Sequence, residues 1–480
     1  MKNSKIENWL LVFLVYAVAG SMPCLIMAQS ADTGALTGVV KDPSGSVVSG
    51  AEITATNIAT GQSRTTLSGR DGSYRITLLP PGKYKVKISM SGFQTAEFPS
   101  VTINVTETEV LNCTLKIGMP SETVTVAADV ELLQTASSTL GTVVGGDKLT
   151  ALPLTTRNYT QILDFSAGVS ASVANATVLG KGTQQTSVNG SNPAQNNYQM
   201  DGVSINSIAS LGHASDQNVG AGIGIPNPDA LQEFKVQTST YDASYGRNPG
   251  ANVNVVTKSG TNELHGTGFY FLRDTSLNAN PFFYNRNRRP TDPKKPILDQ
   301  HQYGFTLGGP IVKDKLLMFG SWQGSRQKNG LSGGGHVNVN LPPIPEGDRS
   351  APGFAAALGA ANCGFANWGW TGGANVKCDG SNISPVALRI LRLKLPDGSY
   401  YFPGSGTSGY ARKEFSIPAR YEGDQFLANL DYIIDQKNTL STRFFYTRDP
   451  QYVPMGYNNL PGNPMTDFYS NTYVVGKFTS

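Results

Sequence analysis

The chain has 480 residues, with 53 glycines, 28 prolines, 15% charged residues and a formal net charge of +4. This length allows several domains, and the abundant turn-forming residues favour an exported, mainly β protein over a helical enzyme or a nucleic-acid-binding protein. The small positive charge indicates no class of partner, and we expect no nucleic acid to bind.

Residues 1–28 have the pattern of a signal peptide. Two lysines precede an apolar run over residues 9–19, and Ile26-Met27-Ala28 stands before Gln29 as a candidate cleavage site. An uncleaved membrane anchor is the alternative, because no charged residue interrupts residues 9–28. The glycine, serine and proline that follow the run shorten it, so we expect cleavage and a mature chain that begins near Gln29.

Residues 29–118 predict a small β-sandwich. Turn signals such as Pro43-Ser44-Gly45 and Asp71-Gly72 separate short runs in which apolar residues alternate with polar ones. The runs GVVKD (38–42), DGSY (71–74), PPGKY (80–84) and GF (92–93) resemble, in this order, the carboxypeptidase regulatory-like domain over its whole length. The resemblance implies a binding or spacer module.

The histidines of the chain do not support a zinc peptidase. Such an enzyme needs two histidines and a carboxylate around an open metal position. The four histidines are His213, His265, His301 and His336, and none has a glutamate or a second histidine at metal spacing. We therefore expect no enzyme activity, metal site or cofactor, and we interpret Cys113 as a small buried hydrophobic residue.

Residues 130–262 change to a mixed α and β pattern. An amphipathic helix is expected over residues 157–163 with Thr156 as its N-cap, and a second helix is expected to begin at Asp229. Asp201-Gly202 predicts a tight hairpin. Strands are expected at residues 234–237 and 251–257.

Three segments of this middle region resemble the plug domain of a TonB-dependent outer-membrane receptor: residues 149–163, 198–206 and 231–260. With the regulatory-like domain ahead of it, the chain resembles the Oar-like receptors. Arg247 and Gly250 stand where such plugs carry an Arg-Gly turn. Residues 241–245 depart from the usual run of small residues, which leaves the loops that contact ligand undetermined.

The linker of residues 119–129 contains ETVTVAA, which resembles the TonB box, the extended segment that the periplasmic domain of TonB binds. Its residues are Glu122, Thr123, Val124, Thr125, Val126, Ala127 and Ala128. The β-branched residues favour an extended chain, and an unpaired strand offers its backbone groups to a partner. An ordinary edge strand or linker is the alternative.

Residues 263–480 predict strands of an outer-membrane β-barrel. Six strand-like runs have alternating short and long connections, as in such barrels. Phe426, Leu430 and Tyr432 are expected to face lipid, and Asn429 and Asp431 the lumen. A soluble sandwich with one wet face is the alternative. Because receptors that hold a plug close with about 22 strands, we expect a partial chain with an incomplete barrel.

The long loops contain three candidate features. They are a disulfide between Cys363 and Cys378, a basic run with Arg286, Arg288, Arg289, Lys294 and Lys295, and the glycine-flanked Trp368 and Trp370. The basic run either meets anionic ligands or is simply solvated. The tryptophans either stack on a sugar ring or pack the loop against itself.

The expected fold class is mainly β: an N-terminal β-sandwich, an α+β plug and the first strands of a transmembrane antiparallel β-barrel that is incomplete. The expected function is TonB-driven import of an unidentified small or oligomeric ligand across the outer membrane, with carbohydrate-related ligands as one candidate class. Lipid is expected around the barrel, and the N-terminal domain is expected in the periplasm. The alternative is a surface adhesion or assembly protein of the same architecture without import.

Overall fold

The computed structural model describes residues 32–119, 123–125, 139–152, 154–171, 177–182, 186–206, 224–239, 241, 245, 248–287, 294–332, 335–341, 344–362, 377, 379–394, 396–402, 404, 411–456 and 464–480. The predicted signal peptide lies outside these ranges. So do Glu122, Val126, Ala127, Ala128, Arg247, Arg288, Arg289, Cys363, Trp368, Trp370 and Cys378.

The N-terminal strands form a sandwich of two sheets. They are β1 (Gly34–Lys41), β2 (Glu52–Asn57), β3 (Ser63–Leu67), β4 (Ser73–Leu79), β5 (Gly82–Ser89), β6 (Thr95–Ile103), β7 (Thr108–Val110), β8 (Cys113–Thr114) and β9 (Thr123–Thr125). One sheet has the order β4-β1-β7 with β8 also paired to β1, and the other has the order β3-β2-β5-β6-β9. We call residues 34–125 of this unit the sandwich.

The alternating pattern of the sandwich strands places one side of each strand in a single core. Ile53, Val86 and Ile88 are fully buried there, as the two-residue periodicity predicts. Cys113 is a buried free cysteine of this core, and burial raises the pKa of its thiol to about 11. The interpretation of Cys113 as a small buried hydrophobic residue is confirmed.

The middle unit, residues 139–257, is a mixed sheet with short helices. Its elements are β10 (Leu140–Gly145), α1 (Gly146–Ala151), β11 (Val169–Ala171), β12 (Thr186–Val188), β13 (Asn197–Met200), β14 (Val203–Ser204), β15 (Leu231–Ser239) and β16 (Asn252–Thr257), with 3₁₀ helices at Tyr159–Phe165, Pro193–Gln195 and Pro228–Ala230. The main sheet has the order β10-β15-β16-β13-β14, and β11 pairs with β12.

The hairpin predicted at Asp201-Gly202 is confirmed. It joins β13 to β14, where Met200 pairs with Val203. Asp201 has a φ of 50° and Gly202 a φ of 86°, and positive φ at both central residues is the requirement of a type I′ turn. The strands expected around residues 234–237 and 251–257 are also present, as β15 and β16.

Two helix predictions in the middle unit are wrong in detail. The first helix is a 3₁₀ helix whose N-cap is Asn158, since the Asn158 side chain accepts a hydrogen bond from the Thr160 amide at 2.9 Å. Thr156 instead accepts a hydrogen bond from the Gln161 side chain. The helix expected at Asp229 is one 3₁₀ turn, because the chain from Leu231 onward is a strand between two others.

The remaining elements are β17 (His265–Arg273), α2 (Phe282–Asn287), β18 (Leu298–Val312), β19 (Leu316–Asn329), β20 (His336–Leu341), α3 (Ala351–Asn362), α4 (Pro385–Leu391), β21 (Ala411–Ser416), β22 (Ala419–Ile433), β23 (Thr439–Val453) and β24 (Met465–Thr479), with a 3₁₀ helix at Thr275–Leu277. Six of these described strands form one antiparallel sheet, in the order β17-β18-β19-β22-β23-β24. We call it the C-terminal sheet. β20 and β21 form a separate hairpin.

The connections of the C-terminal sheet differ in length between its two ends. The turns at residues 313–315 and 434–438 are short, whereas the connections at residues 274–297, 330–418 and 454–464 are longer and lie at the opposite end. The predicted alternation of faces is confirmed, since Phe426 and Leu430 are exposed to 46% and 43% and Asn429 to 1%. On the outward face Trp322 has its ring near those of Phe305 and Phe426.

Among the described residues, no helix combines the length and the apolar character that crossing a membrane requires.

Candidate functional site

The middle unit packs against the inward face of the C-terminal sheet. Met200 and Ala230 of the middle unit share one small buried cluster with Phe319, Leu427 and Phe445 of the sheet. Just after the middle unit, a Cβ atom on Gly260 would lie 2.3 Å from the backbone oxygen of Met318. Only glycine allows this approach, so the chain enters β17 in direct backbone contact with β19.

Arg157 is the centre of one buried contact between the two units. Its guanidinium forms an ion pair with Asp229 inside the middle unit, and its Nε donates to the side-chain oxygen of Gln323 on β19 at 3.1 Å. The guanidinium carbon lies 4.3 and 4.4 Å from the ring centroids of Phe269 and Phe271 on β17. The ion pair, the hydrogen bond and the cation-π contacts thus hold the Arg157 side chain against the C-terminal sheet.

Lys181 makes a second contact, which is partly buried and lies nearer the long-loop end of the sheet. Its ammonium donates to the hydroxyl of Thr447 at 2.8 Å and to the carboxylate of Asp449 at 3.1 Å. Asp449 also accepts a hydrogen bond from the hydroxyl of Tyr421 at 2.6 Å. The ion pair is therefore part of a satisfied network on β22 and β23.

Polar side chains of the sheet also hold the end of β16. The Asn429 amide donates to the hydroxyl of Thr257 and to the backbone oxygen of Lys258, both at 2.8 Å. Arg443 donates to the hydroxyl of Ser259 at 3.1 Å. The contacts between the middle unit and the C-terminal sheet thus combine these polar groups with two small apolar clusters, the second of which joins Leu179 to Ala419 and Tyr421.

The sandwich lies at the short-turn end of the C-terminal sheet. The amide of Asn262 donates to the backbone oxygen of Ala59 at 2.9 Å, and its side chain donates to Asp314 in the turn between β18 and β19 at 2.7 Å. The Gln62 side chain donates to the hydroxyl of Thr439 at 2.7 Å. The sandwich is thus anchored beside both tight turns.

A second surface of the sandwich contacts β15 of the middle unit. Buried Glu233 accepts a hydrogen bond from the backbone amide of Val105, and buried Lys235 pairs with Glu107 at 3.1 Å. Burial raises the pKa of Glu233 to about 7, and burial also lowers the pKa of Lys235. We call Val105, Glu107, Glu233 and Lys235 the β15 clamp.

The β15 clamp predicts that stability depends on pH. Between pH 4.5 and about 7 the folded protein keeps a proton on Glu233 that the unfolded chain has lost, so stability falls as pH rises through this window. The loss reaches up to about 3 kcal/mol, because one pKa unit corresponds to about 1.4 kcal/mol. Thermal unfolding of the protein in detergent at pH 5 and pH 7.5 measures it.

The Glu233→Gln variant should flatten this pH dependence, because the amide does not titrate. Glu52→Gln, a change on the exposed side of β2, should leave the pH dependence as it is in the unaltered protein. An equal slope for Glu233→Gln and the unaltered protein would show that Glu233 does not titrate in this window.

The expectation that residues 122–128 are unpaired is wrong for residues 123–125. These residues are β9, which pairs in parallel with β6 at the edge of a sandwich sheet. Thr123 pairs with Thr95, Val124 with Ala96 and Thr125 with Glu97. β6 ends about twenty residues before this segment, and its outer edge offers unpaired backbone groups. The sequence pattern of residues 122–128 alone gave no sign of this partner.

A cavity of about 770 Å³ lies where the three units meet. Its walls include charged side chains from each unit, among them Arg64 of the sandwich, Asp201 of the middle unit, and Asp431 and Arg443 of the C-terminal sheet. Arg443 pairs with Asp431 at 2.8 Å. The cavity thus has both charged and apolar side chains in its walls, and it lies on the short-turn side of the middle unit.

Two comparisons with protein families cover separate parts of the chain. Residues 35–116 match the family model of the carboxypeptidase regulatory-like domain, and residues 256–479 match that of the outer membrane beta barrel domain. The first match lies in the sandwich and the second contains the C-terminal sheet, and both predicted resemblances are confirmed.

A curated relative extends the similarity beyond single domains. The TonB-dependent transporter Oar of Myxococcus xanthus is 26% identical over 271 residues, which cover 56% of this chain and 24% of the relative. The chain therefore spans about a quarter of the length of this relative. The relative is named as a transporter and not as an enzyme.

Two solved structures are similar to parts of the chain. The transporter YddB of Escherichia coli has a TM-score of 0.38 and 14% identity, and covers 65% of this chain and 33% of its own. The siderophore receptor PirA of Acinetobacter baumannii has a TM-score of 0.33 and 14% identity, and covers 72% of this chain and 45% of its own. Both scores are low, and neither similarity carries an argument about function.

The predicted ligand residues of the barrel domain are described only in part. Arg286 is exposed on α2, and Lys294 and Lys295 are exposed near the start of β18. The Lys295 ammonium donates to the backbone oxygen of Asn278 at 3.0 Å, so this charge stabilises its own loop. Among the residues that the structure describes, no group of three metal-ligating side chains is suited to hold a metal ion.

Proposed function

We propose that this chain acts in TonB-dependent import of a ligand across the outer membrane, with the middle unit as the plug of the barrel domain. The observation that carries the proposal is the set of contacts that attach the middle unit to the C-terminal sheet. Ion pairs and hydrogen bonds around Arg157, Lys181 and Asn429 join the two units, and the buried apolar contacts between them form two small clusters. Water can replace such polar partners when the plug moves away from the barrel strands, whereas a large apolar interface between them would resist separation.

The TonB box of the proposal is residues 122–128, of which the structure describes Thr123, Val124 and Thr125 as an extended strand. The periplasmic domain of TonB would bind this segment through backbone hydrogen bonds, as a strand added to a sheet. The box precedes β10, an edge strand of the plug sheet. A pull on the box would therefore act first on that edge.

The short turns of outer-membrane barrels face the periplasm, and their long loops face outside. The sandwich lies beside the tight turns, through Asn262 and Gln62. These contacts support the proposal that the sandwich is periplasmic and that ligand arrives from the side of the long loops.

The ligand would meet the long loops first. Arg286, Arg288 and Arg289 would attract anionic groups, and Trp368 and Trp370 would stack on sugar rings. A disulfide between Cys363 and Cys378 would order that loop. These features favour a carbohydrate-related ligand with anionic groups.

Capture by the immobilised periplasmic domain of TonB tests the proposed function. We expect the detergent-solubilised protein to be captured, and Val124→Pro to weaken capture at least tenfold, because proline lacks the backbone N–H that strand pairing uses. Val124→Ala is the matched control, since it removes side-chain atoms but keeps the N–H, and it should retain capture.

Failure of TonB to capture the unaltered protein would contradict import. In that outcome the adhesion or assembly function, which needs no energised partner, would be the better account. Equal capture of the proline and alanine variants would show that TonB binds this protein elsewhere.

A further inference from the structure

The sandwich edge and the box share one ladder of backbone contacts. β9 is the last strand of the order β3-β2-β5-β6-β9, so the box residues Thr123–Thr125 cover the edge of β6 that would otherwise be open. Val124 is half-buried in this position. The pairing is parallel and extends over three residue pairs. Parallel pairs are slightly weaker per residue than antiparallel ones, so we expect this short contact to open readily.

The sandwich that carries the box strand is itself fixed on both of its neighbours. The chain continues from β6 into the loop with Val105 and Glu107, and these residues form the β15 clamp with Glu233 and Lys235. Asn262 joins the turn between β2 and β3 of the sandwich to the short turn at Asp314. β9, which pairs with β6, thus lies on a sandwich that itself contacts the proposed plug.

We propose that the sandwich stores the box: the edge of β6 binds residues 123–125 and withholds them from TonB until the pairing opens. This inference rests on the proposed function and adds a control step to it. The regulatory-like domain is then an autoinhibitory element, and TonB competes with β6 for the same backbone groups of the box.

A disulfide across the paired strands tests the storage step. Glu97 and Thr125 are register partners on the solvent side, and neighbouring strands lie about 4.8 Å apart, within the range that a disulfide spans. Glu97→Cys with Thr125→Cys should therefore form a disulfide on oxidation, seen as a mass loss of two hydrogens. The oxidised protein should bind the TonB periplasmic domain at least tenfold more weakly than the same protein after reduction.

A second cysteine pair provides the control. Thr54 and Thr65 are register partners on β2 and β3, and their hydroxyls lie 3.0 Å apart on the exposed side of the same sheet. Thr54→Cys with Thr65→Cys should give equal capture when oxidised and reduced. The reduced form of the Glu97/Thr125 variant also controls for loss of the Lys85–Glu97 ion pair.

The outcomes separate the inference from the proposed function. Equal capture of the oxidised and reduced Glu97/Thr125 variant would overturn storage while leaving TonB binding intact, because TonB would then add to the outer edge of β9. Failure of the two thiols to join on oxidation would also overturn it. If neither the reduced variant nor the unaltered protein were captured, the proposed function itself would fail.

Discussion

Replacing Arg157 by methionine is expected to lower the local stability of the middle unit by about 3–5 kcal/mol, the range for breaking a buried ion pair on one side. Asp229 is 8% exposed and would lose the guanidinium that pairs with it. The rings of Phe269 and Phe271 and the amide of Gln323 would lose their shared partner. Methionine retains similar bulk, so the loss would come from charge and hydrogen bonding.

Hydrogen exchange of the Tyr159–Phe165 helix measures this effect. Because about 1.4 kcal/mol corresponds to a factor of ten in an opening equilibrium, we expect these amides to exchange about 10²-fold faster or more in Arg157→Met. Arg286→Met is the matched control, since Arg286 is exposed on α2. It should leave the helix unchanged, and an equally small change in both variants would contradict the role of Arg157.

The second large effect is expected at Asp449. In Asp449→Asn the partly buried ammonium of Lys181 would lose its anionic partner, because the neutral amide offers one acceptor oxygen in place of the two carboxylate oxygens that now bind Lys181 and Tyr421. We expect the free energy that attaches residues 177–182 to the C-terminal sheet to fall by about 3 kcal/mol. Exchange of the Gly180 amide, which donates to Gln327 at 2.7 Å, measures it.

The order of the variants at this site is a stricter test. Lys181→Met should cost less than Asp449→Asn, because Asp449 retains the donors Tyr421 and Thr447. The double variant should be close to Lys181→Met, since it leaves no unpaired ammonium. Additive losses in the double variant would show that Lys181 and Asp449 do not interact.

The sequence predicts the parts of the fold that local patterns determine. The six long strands of the C-terminal sheet follow from alternation of residues such as Phe426 and Asn429, because a strand with one lipid-facing and one polar side has a period of two. The hairpin at Asp201-Gly202 follows from the turn geometry that these two residues permit. Each of these two signals is carried by residues that lie close together in the sequence.

The contacts between units could not be predicted in this way. Arg157 meets Gln323 across 166 residues of chain, and Lys181 meets Asp449 across 268. The alternation of Glu233, Lys235 and Gln237 was the one local sign, since polar residues at period two on a strand between apolar neighbours indicate a second polar surface. That pattern marks the face of β15 but does not identify its partner.

The helix predicted at Asp229 and the unpaired box failed for a related reason. Asp229 and the proline before it have the composition of a helix start, but the sheet that surrounds Leu231 requires an extended chain. The box has no adjacent partner in sequence, yet β6 pairs with it after the chain has returned to the same sheet edge. In both cases tertiary pairing overrides the local pattern.

The central claim is that an extended box ahead of the proposed plug is passed to TonB, and cross-linking in intact cells tests it most directly. Single cysteines at Thr123, Val124 and Thr125 would be combined with a cysteine in the box-binding strand of the TonB periplasmic domain. We predict disulfide-linked complexes at these positions, strongest at alternate residues, and none from Thr54→Cys on the sandwich. No complex at any box position, under conditions in which the same TonB variant cross-links to an established receptor, would contradict the account.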